Sequence, residues 1–233
     1  MNSARPALIV FCREPIAHLA KTRLIGAITP AAAAALSDAF IRDALAKAVA
    51  VRPSRIVIAA STQDGVRHSK YFRRLARCFD AELIDQGTGS LGQRMAKALG
   101  PHSSPGALLI GTDTPSLPAA LLATSLHALA RNRVVIAPSL DGGYYAIGVR
   151  RAMPPIFSGI RWGTSGVFES TVKRLRRARV PYKLGPAWYD VDRWPDLMLL
   201  AAHLRLLGQA RRPSPCPATQ SVLKRLGVLR HDS

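Results

Sequence analysis

Carboxylates are the scarce reactive groups of this chain, with 14 Asp and Glu against 33 Lys and Arg. Between residues 86 and 231 only Asp113, Asp141, Glu169, Asp190, Asp192 and Asp196 are acidic, and five of these six fall in three short segments: LLIGTDTPSLP (108–118), SLDGGYYAIG (139–148) and WYDVDRWPDL (188–197). A carboxylate such as Asp113, at the tip of an apolar run and beside a turn-fixing proline, is what a hard divalent cation asks of its protein ligand. The structural alternative is that Asp113 caps a helix opening near Leu117. Asp196 has its own alternative, as a first-turn partner of a helix dipole.

Cations and glycines stand in two further segments. REPIAHLAKTRL (13–24) carries Lys21 and Arg23 after an apolar run, placed like a phosphate loop but without GxxxxGK[ST], and with no glycine before Gly26. In DQGTGSLGQRM (85–95), Gly87, Gly89 and Gly92 lead into a helix through Arg94, and glycines of this kind let a backbone approach a flat ligand closely. Trp162 could floor a ligand pocket or simply pack. No Ser-His-Asp or Cys-His arrangement is legible, and the six histidines (His18, His68, His102, His127, His203 and His231) lack ligand spacing.

The elements that must position these residues follow from the apolar pattern. Runs at 7–12, 55–61, 81–85, 107–111, 134–138 and 144–149 read as buried strands. A helix opening at Thr29-Pro30 runs to about Ala50, and others cover 66–78, 90–99, 118–131, 165–179 and 194–208. The alternation predicts an α/β fold with a mostly parallel sheet between two helical layers. Ligands of such sheets bind beyond the carboxyl ends of the strands, where the segments above fall. RRPSPCP (211–217) breaks the last long helix, so the chain divides into one domain over 1–210 and a C-terminal surface extension over 211–233, with a short helix and a frayed end.

Composition excludes several classes. A chain of 233 residues that is 48% hydrophobic is neither disordered nor too short for a core. Three widely spaced cysteines make no disulfide framework and point to a reducing, cytoplasmic setting. No apolar run is long enough for a signal core or a transmembrane span. The net charge of +19 comes mostly from arginine and reads first as composition, leaving peripheral contact with anionic surfaces as a secondary partner class. KYFRRLAR (70–77) and KRLRRAR (173–179) read as helices with a solvated basic face, so no specific nucleic-acid partner is expected.

Taken in order, KTRL (21–24), GSLGQRM (89–95), GTDTPSL (111–117), DGGYYAIG (141–148), WGTSGV (162–167) and DVDRWPDL (190–197) resemble the bacterial DUF2064 family of glycosyltransferase-A-like proteins, over about residues 7–200. That family is similar to the nucleotide-diphospho-sugar transferases, a superfamily that includes molybdenum-cofactor and phospholactate nucleotidyltransferases. The resemblance implies a three-layer α/β/α fold with a mixed sheet and a nucleotide over the amino-terminal half. Lys21 and Arg23 would meet phosphates, and Gly87, Gly89 and Arg94 would line the nucleotide. Asp113 and Asp192 would hold Mg²⁺ or Mn²⁺. Asp141, Gly142 and Gly143, with Trp162 and Thr164, would face the sugar or acceptor. Two positions depart from the family pattern: His18 stands where the first loop has glycine, and Arg193 stands where the closing segment has threonine.

The implied reaction is metal-assisted transfer from an activated nucleotide to a small-molecule acceptor, with Asp113, Lys21 and Arg23 as the catalytic set. Glycosyl transfer from a nucleotide sugar comes first among the expectations. Nucleotidyl transfer from a nucleoside triphosphate to a phosphorylated small molecule is the alternative.

Overall fold

The computed structural model describes residues 5–151 and 153–229, so His231 lies outside the described residues. Seven strands are present: β1 (Ala7–Arg13), β2 (Ile56–Ser61), β3 (Glu82–Asp85), β4 (Ala107–Ile110), β5 (Val134–Pro138), β6 (Tyr144–Val149) and β7 (Tyr182–Leu184). They form one sheet in the order β3-β2-β1-β4-β6-β5-β7. Only β6 runs against its neighbours, pairing antiparallel with β4 and β5, so the sheet is mixed but mostly parallel. The central strands are uninterrupted apolar runs because both sheet faces are covered by helices.

Those helices are α1 (Pro30–Ala50), α2 (Lys70–Cys78), α3 (Leu91–Leu99), α4 (Ala119–Leu129), α5 (Val167–Arg177), α6 (Trp194–Gln209) and α7 (Pro217–Arg225). Helices α1, α2 and α4 cover one face through Leu45, Phe72 and Leu126. On the other face, α3 and α5 pack Met95, Leu99 and Leu175. The opposite side of α1 carries a third apolar cluster, where Phe40 meets Leu200 of α6 and Leu223 of α7. Helix α1 is therefore buried on two sides, which explains why its sequence is apolar nearly all round.

The segment expected as a surface extension contributes Cys216, Val222 and Leu223 to that cluster. The carboxylate of Asp43 in α1 caps α7 by accepting from the Ala218 and Thr219 amides at 3.0 and 2.9 Å, which draws the helix inward. Among the described residues no helix is long and apolar enough to cross a membrane.

Strand order reverses between β1 and β4, and the loops leaving these two strands open one crevice at their carboxyl ends. Lys21 sits in the first loop and Asp113 in the second.

Candidate functional site

The chain after β1 descends through a short 3₁₀ turn, Thr22–Leu24, and Lys21 at its head takes a left-handed backbone with φ 46°. That conformation is costly for a residue with a side chain and persists where surrounding contacts enforce it. Here the contacts are explicit. The Lys21 Nζ lies 2.6 Å from Asp113 Oδ1 and 3.0 Å from Asp192 Oδ1, and it donates to the Val191 carbonyl at 2.7 Å. All three ammonium donors are thus committed. Burial alone would lower the Lys21 pKa, but the Asp113 and Asp192 carboxylates outweigh it and hold the ammonium above the ordinary lysine range. Arg23 adds a looser contact, with Nη1 3.3 Å from Asp192 Oδ2.

Asp113 does not cap the following helix. Helix α4 starts at Ala119 with Pro118 at its cap and no side-chain cap bond, which leaves the carboxylate free to face the crevice. Its loop is tied on two sides: the Val191 amide donates to the Asp113 carbonyl at 2.8 Å, and the buried Lys47 ammonium donates to the Pro115 carbonyl. Asp192 is presented by the turn into α6. There the Asp196 carboxylate accepts from the Asp192 and Arg193 amides at 3.0 and 2.7 Å, so Asp196 is spent on capping and is not aimed at a ligand.

Two cavities meet at this point. One, of about 590 Å³, lies over β1 and is lined by Arg13, Lys21, Arg23, Arg94, Asp113 and Asp192. The other, of about 530 Å³, lies over β4 and β6, where Asp141, Gly143, Trp162, Thr164 and Arg193 join Asp113 and Asp192. The two carboxylates and Arg23 are shared by both cavities.

The second cavity is shaped by the β5–β6 turn. Asp141 accepts from the Ser139 hydroxyl and from the Gly143 amide, so its carboxylate already closes the turn. Gly142 takes φ 88°, and a Cβ there would run into the backbone of Ser165, which is how the turn and the 163–166 loop come into contact. Trp162 stands between Tyr144 and Phe157, with ring centroids 6.5 and 6.3 Å away, so it packs and lines the cavity at once. The Thr164 hydroxyl donates to the Arg161 carbonyl at 2.9 Å. Half-buried Asp190 is pushed up to about 6, first by burial and then by the neighbouring Asp141 charge.

Most of the expected site residues therefore converge. Gly87 and Gly89 do take left-handed backbones, at φ 74° and 104°, but they line neither of these two cavities. His18, at φ 65°, occupies a conformation that glycine adopts freely. The basic helices α2 and α5 pack on opposite faces of the sheet, so their charges do not form one surface. Sequence reasoning passed over Arg13, the last residue of β1, and Gln86, the first residue beyond β3, although both fall inside segments singled out for other residues. Their only signal was a polar residue immediately after an apolar run.

The profile of the family described as an uncharacterized protein conserved in bacteria, DUF2064, matches residues 34–164. The chain belongs to this family. Among solved structures it is similar to a candidate nucleotide-diphospho-sugar transferase from Desulfovibrio desulfuricans G20, with 28% identity, 97% of this chain and 96% of that chain covered, and a TM-score of 0.82. The fold alone is shared with a nucleotidyl transferase from Methanothermobacter thermautotroptrophicus, at 10% identity, 87% and 99% coverage and a TM-score of 0.61. It is also shared with a CMP:2-keto-3-deoxy-manno-octonic acid synthetase in complex with CTP, at 12% identity, 87% and 99% coverage and a TM-score of 0.56. A search among curated proteins returned no match.

Proposed function

We propose that the protein is a transferase that takes an activated nucleotide as donor, with Mg²⁺ or Mn²⁺ held between Asp113 and Asp192. The observation that carries this reading is the convergence of both carboxylates on one cation, the Lys21 ammonium, at the junction of two cavities. Likeness to the candidate nucleotide-diphospho-sugar transferase supports it.

The donor set fits such an ion. Two carboxylates facing one point are hard oxygen ligands, and among the described residues no third His, Cys, Asp or Glu joins them. That is the usual manner of Mg²⁺, bound through one or two carboxylates with phosphates and water completing its shell. When bound, the ion supplies charge neutralisation for the phosphate oxygens of the leaving group.

The chain's own residues do the remaining work. Asp113 and Asp192 fix where the phosphate chain crosses from one cavity to the other. Lys21, released from one of its carboxylate contacts as the donor arrives, turns an ammonium toward the phosphates, and Arg23 adds a second positive group from the shared wall. Such preorganised charge acts most strongly where water is excluded. The loop of Asp141, Gly142 and Gly143, with Trp162 and Thr164, holds the acceptor on the far side so that its attacking oxygen faces the donor.

Two transfers fit this arrangement. In glycosyl transfer the acceptor oxygen attacks the anomeric carbon of a nucleotide sugar and a nucleoside diphosphate leaves. In nucleotidyl transfer an acceptor phosphate attacks the α-phosphorus of a nucleoside triphosphate and pyrophosphate leaves. The second is favoured by two cations of the cavity over β1, the donor cavity, that pair with no carboxylate among the described residues, Arg13 and Arg94.

Incubation with panels of nucleoside triphosphates and nucleotide sugars, each with Mg²⁺ and candidate acceptors, tests the reading. Acceptor-dependent pyrophosphate release identifies nucleotidyl transfer, and nucleoside diphosphate release identifies glycosyl transfer. Absence of metal-dependent binding of any nucleotide overturns both.

A further inference from the structure

The donor cavity contains a locked polar assembly that the carboxylate centre does not use. Gln86, the first residue beyond β3, is 1% exposed. Its Nε2 donates to the Cys12 carbonyl at 2.9 Å and to the Ala59 carbonyl at 2.8 Å, and its Oε1 accepts from Arg94 Nη1 at 2.8 Å. Two carbonyls on one end and a guanidinium on the other leave the amide a single orientation. Arg94 is thereby held with its guanidinium carbon 5.8 Å from the centre of the Phe11 ring. Its Nε is buried and without a hydrogen-bond partner among the described residues.

Arg13, at the exposed end of β1, lines the same cavity. Neither arginine makes an ion pair among the described residues, in contrast to Lys21 and Arg23, which are engaged with carboxylates. Burial, and next the Arg13 charge, disfavour the Arg94 cation. A guanidinium held in place by a neutral amide, short of a partner for a buried donor and set beside a second positive charge, is an unfilled receptor for an anion.

We propose that Arg13 and Arg94 bind the terminal phosphate of a nucleoside triphosphate, and that Gln86 positions Arg94 for it. The inference rests on the activated-nucleotide reading above and names the donor class. A nucleotide sugar has no terminal phosphate monoester, whereas a triphosphate adds one that carries about −1.5 to −2 charges at neutral pH. Two unpaired guanidiniums match that additional charge.

The transfer is then nucleotidyl. An oxygen of the phosphorylated acceptor forms a bond to the α-phosphorus, the bond from that phosphorus to the bridging oxygen breaks, and its electron pair leaves on pyrophosphate. An acceptor phosphate oxygen carries no proton to be removed, so the step needs no general base. Arg13 and Arg94 hold the departing pyrophosphate, and Arg94 makes no contact with the acceptor side.

Calorimetric titration of the full chain with inorganic pyrophosphate, and with the mono-, di- and triphosphates of one nucleoside in Mg²⁺, tests this. The wild type is expected to bind triphosphate more tightly than diphosphate. A charge-assisted hydrogen bond is worth about 1.5–3 kcal/mol, so Arg94→Met is expected to weaken pyrophosphate and triphosphate about tenfold to a hundredfold. Monophosphate affinity should stay within about twofold.

Gln86→Leu should reproduce the loss of triphosphate-over-diphosphate preference while leaving monophosphate affinity unchanged, a selectivity change that general destabilisation would not give. If the buried substitution prevents folding, Arg13→Met at the exposed strand end carries the test alone. Variants that keep the wild-type preference for triphosphate overturn the subsite, even if free pyrophosphate binding falls, because the guanidiniums would then serve a separate phosphate. Metal-dependent nucleotide binding in those variants keeps the donor reading, and its absence in the wild type removes both.

Discussion

Lys21→Met removes a buried ammonium while keeping most of its aliphatic stem. The Lys21 side chain is 8% exposed, against 50% for Asp113 and 29% for Asp192. Breaking a fully buried ion pair costs about 3–5 kcal/mol. An exposed pair is worth about 0–1 kcal/mol. With a buried cation between two partly solvated anions, the expected loss lies between these limits, at about 2 kcal/mol. For a domain of this size that lowers the melting midpoint by about 4–8 °C. The two carboxylates are left with only the looser Arg23 contact to Asp192 as counter-charge, so a dication should bind there more readily in the variant than in the wild type, where it competes with the ammonium. Mn²⁺ at about a hundred times its dissociation constant restores about 2.7 kcal/mol, enough to recover the loss. Thermal melts of both proteins across a Mn²⁺ series give the comparison. An unchanged midpoint for Lys21→Met, or equal Mn²⁺ shifts in the two proteins, would refute the reasoning.

Other perturbations probe the scaffold around the site. Lys47→Met leaves the Pro115 carbonyl without its buried donor, which should cost about 1–3 kcal/mol in urea unfolding and loosen the Asp113 loop. Gly142→Ala forces a side chain into a left-handed backbone and against Ser165; a destabilisation of about 1–3 kcal/mol is expected, with weaker acceptor binding. Asp190 gives a pH signature. Its carboxyl rises from 3.8 to about 6 in the folded chain, so the native state holds the proton more tightly and stability falls as pH climbs through that window. Asp190→Asn should therefore unfold at higher urea than the wild type above pH 6, with the gap closing toward pH 4 and below; a constant gap would contradict the assigned burial and charge effects. His18→Gly should stabilise by about 1 kcal/mol, since it relieves a left-handed residue, and urea midpoints would read it.

The alternation of apolar runs and amphipathic stretches made the layers and the parallel β1–β4 centre legible, because each run is buried on both faces and must be apolar throughout. Direction was harder to read. Strand β6 returns antiparallel through the short turn containing Asp141-Gly142-Gly143, a hairpin whose glycines were visible but were read only for chemistry. Strand β7 escaped notice because it has three residues, one of them Lys183, and lies on the sheet edge where apolar character is not required. Helix α2 begins at Lys70 and not at 66, since the Ser69 hydroxyl accepts from the Phe72 amide at 3.2 Å and sets the start. Asp113 and Asp192 stood out because acids are rare in this part of the chain. That Lys21 reaches both of them, and that the Gln86 amide is fixed by the Cys12 and Ala59 carbonyls so that it can hold Arg94, depends on contacts between segments far apart in sequence, which no local pattern encodes.

Calorimetric titration with nucleotides in the presence and absence of Mn²⁺, on the wild type and on Asp113→Ala, addresses the central claim most directly. The account predicts a nucleotide that binds the wild type only with metal, and an Asp113→Ala protein that melts cooperatively yet has lost this binding. Nucleotide affinity that is indifferent to metal, or that survives in Asp113→Ala, would contradict it.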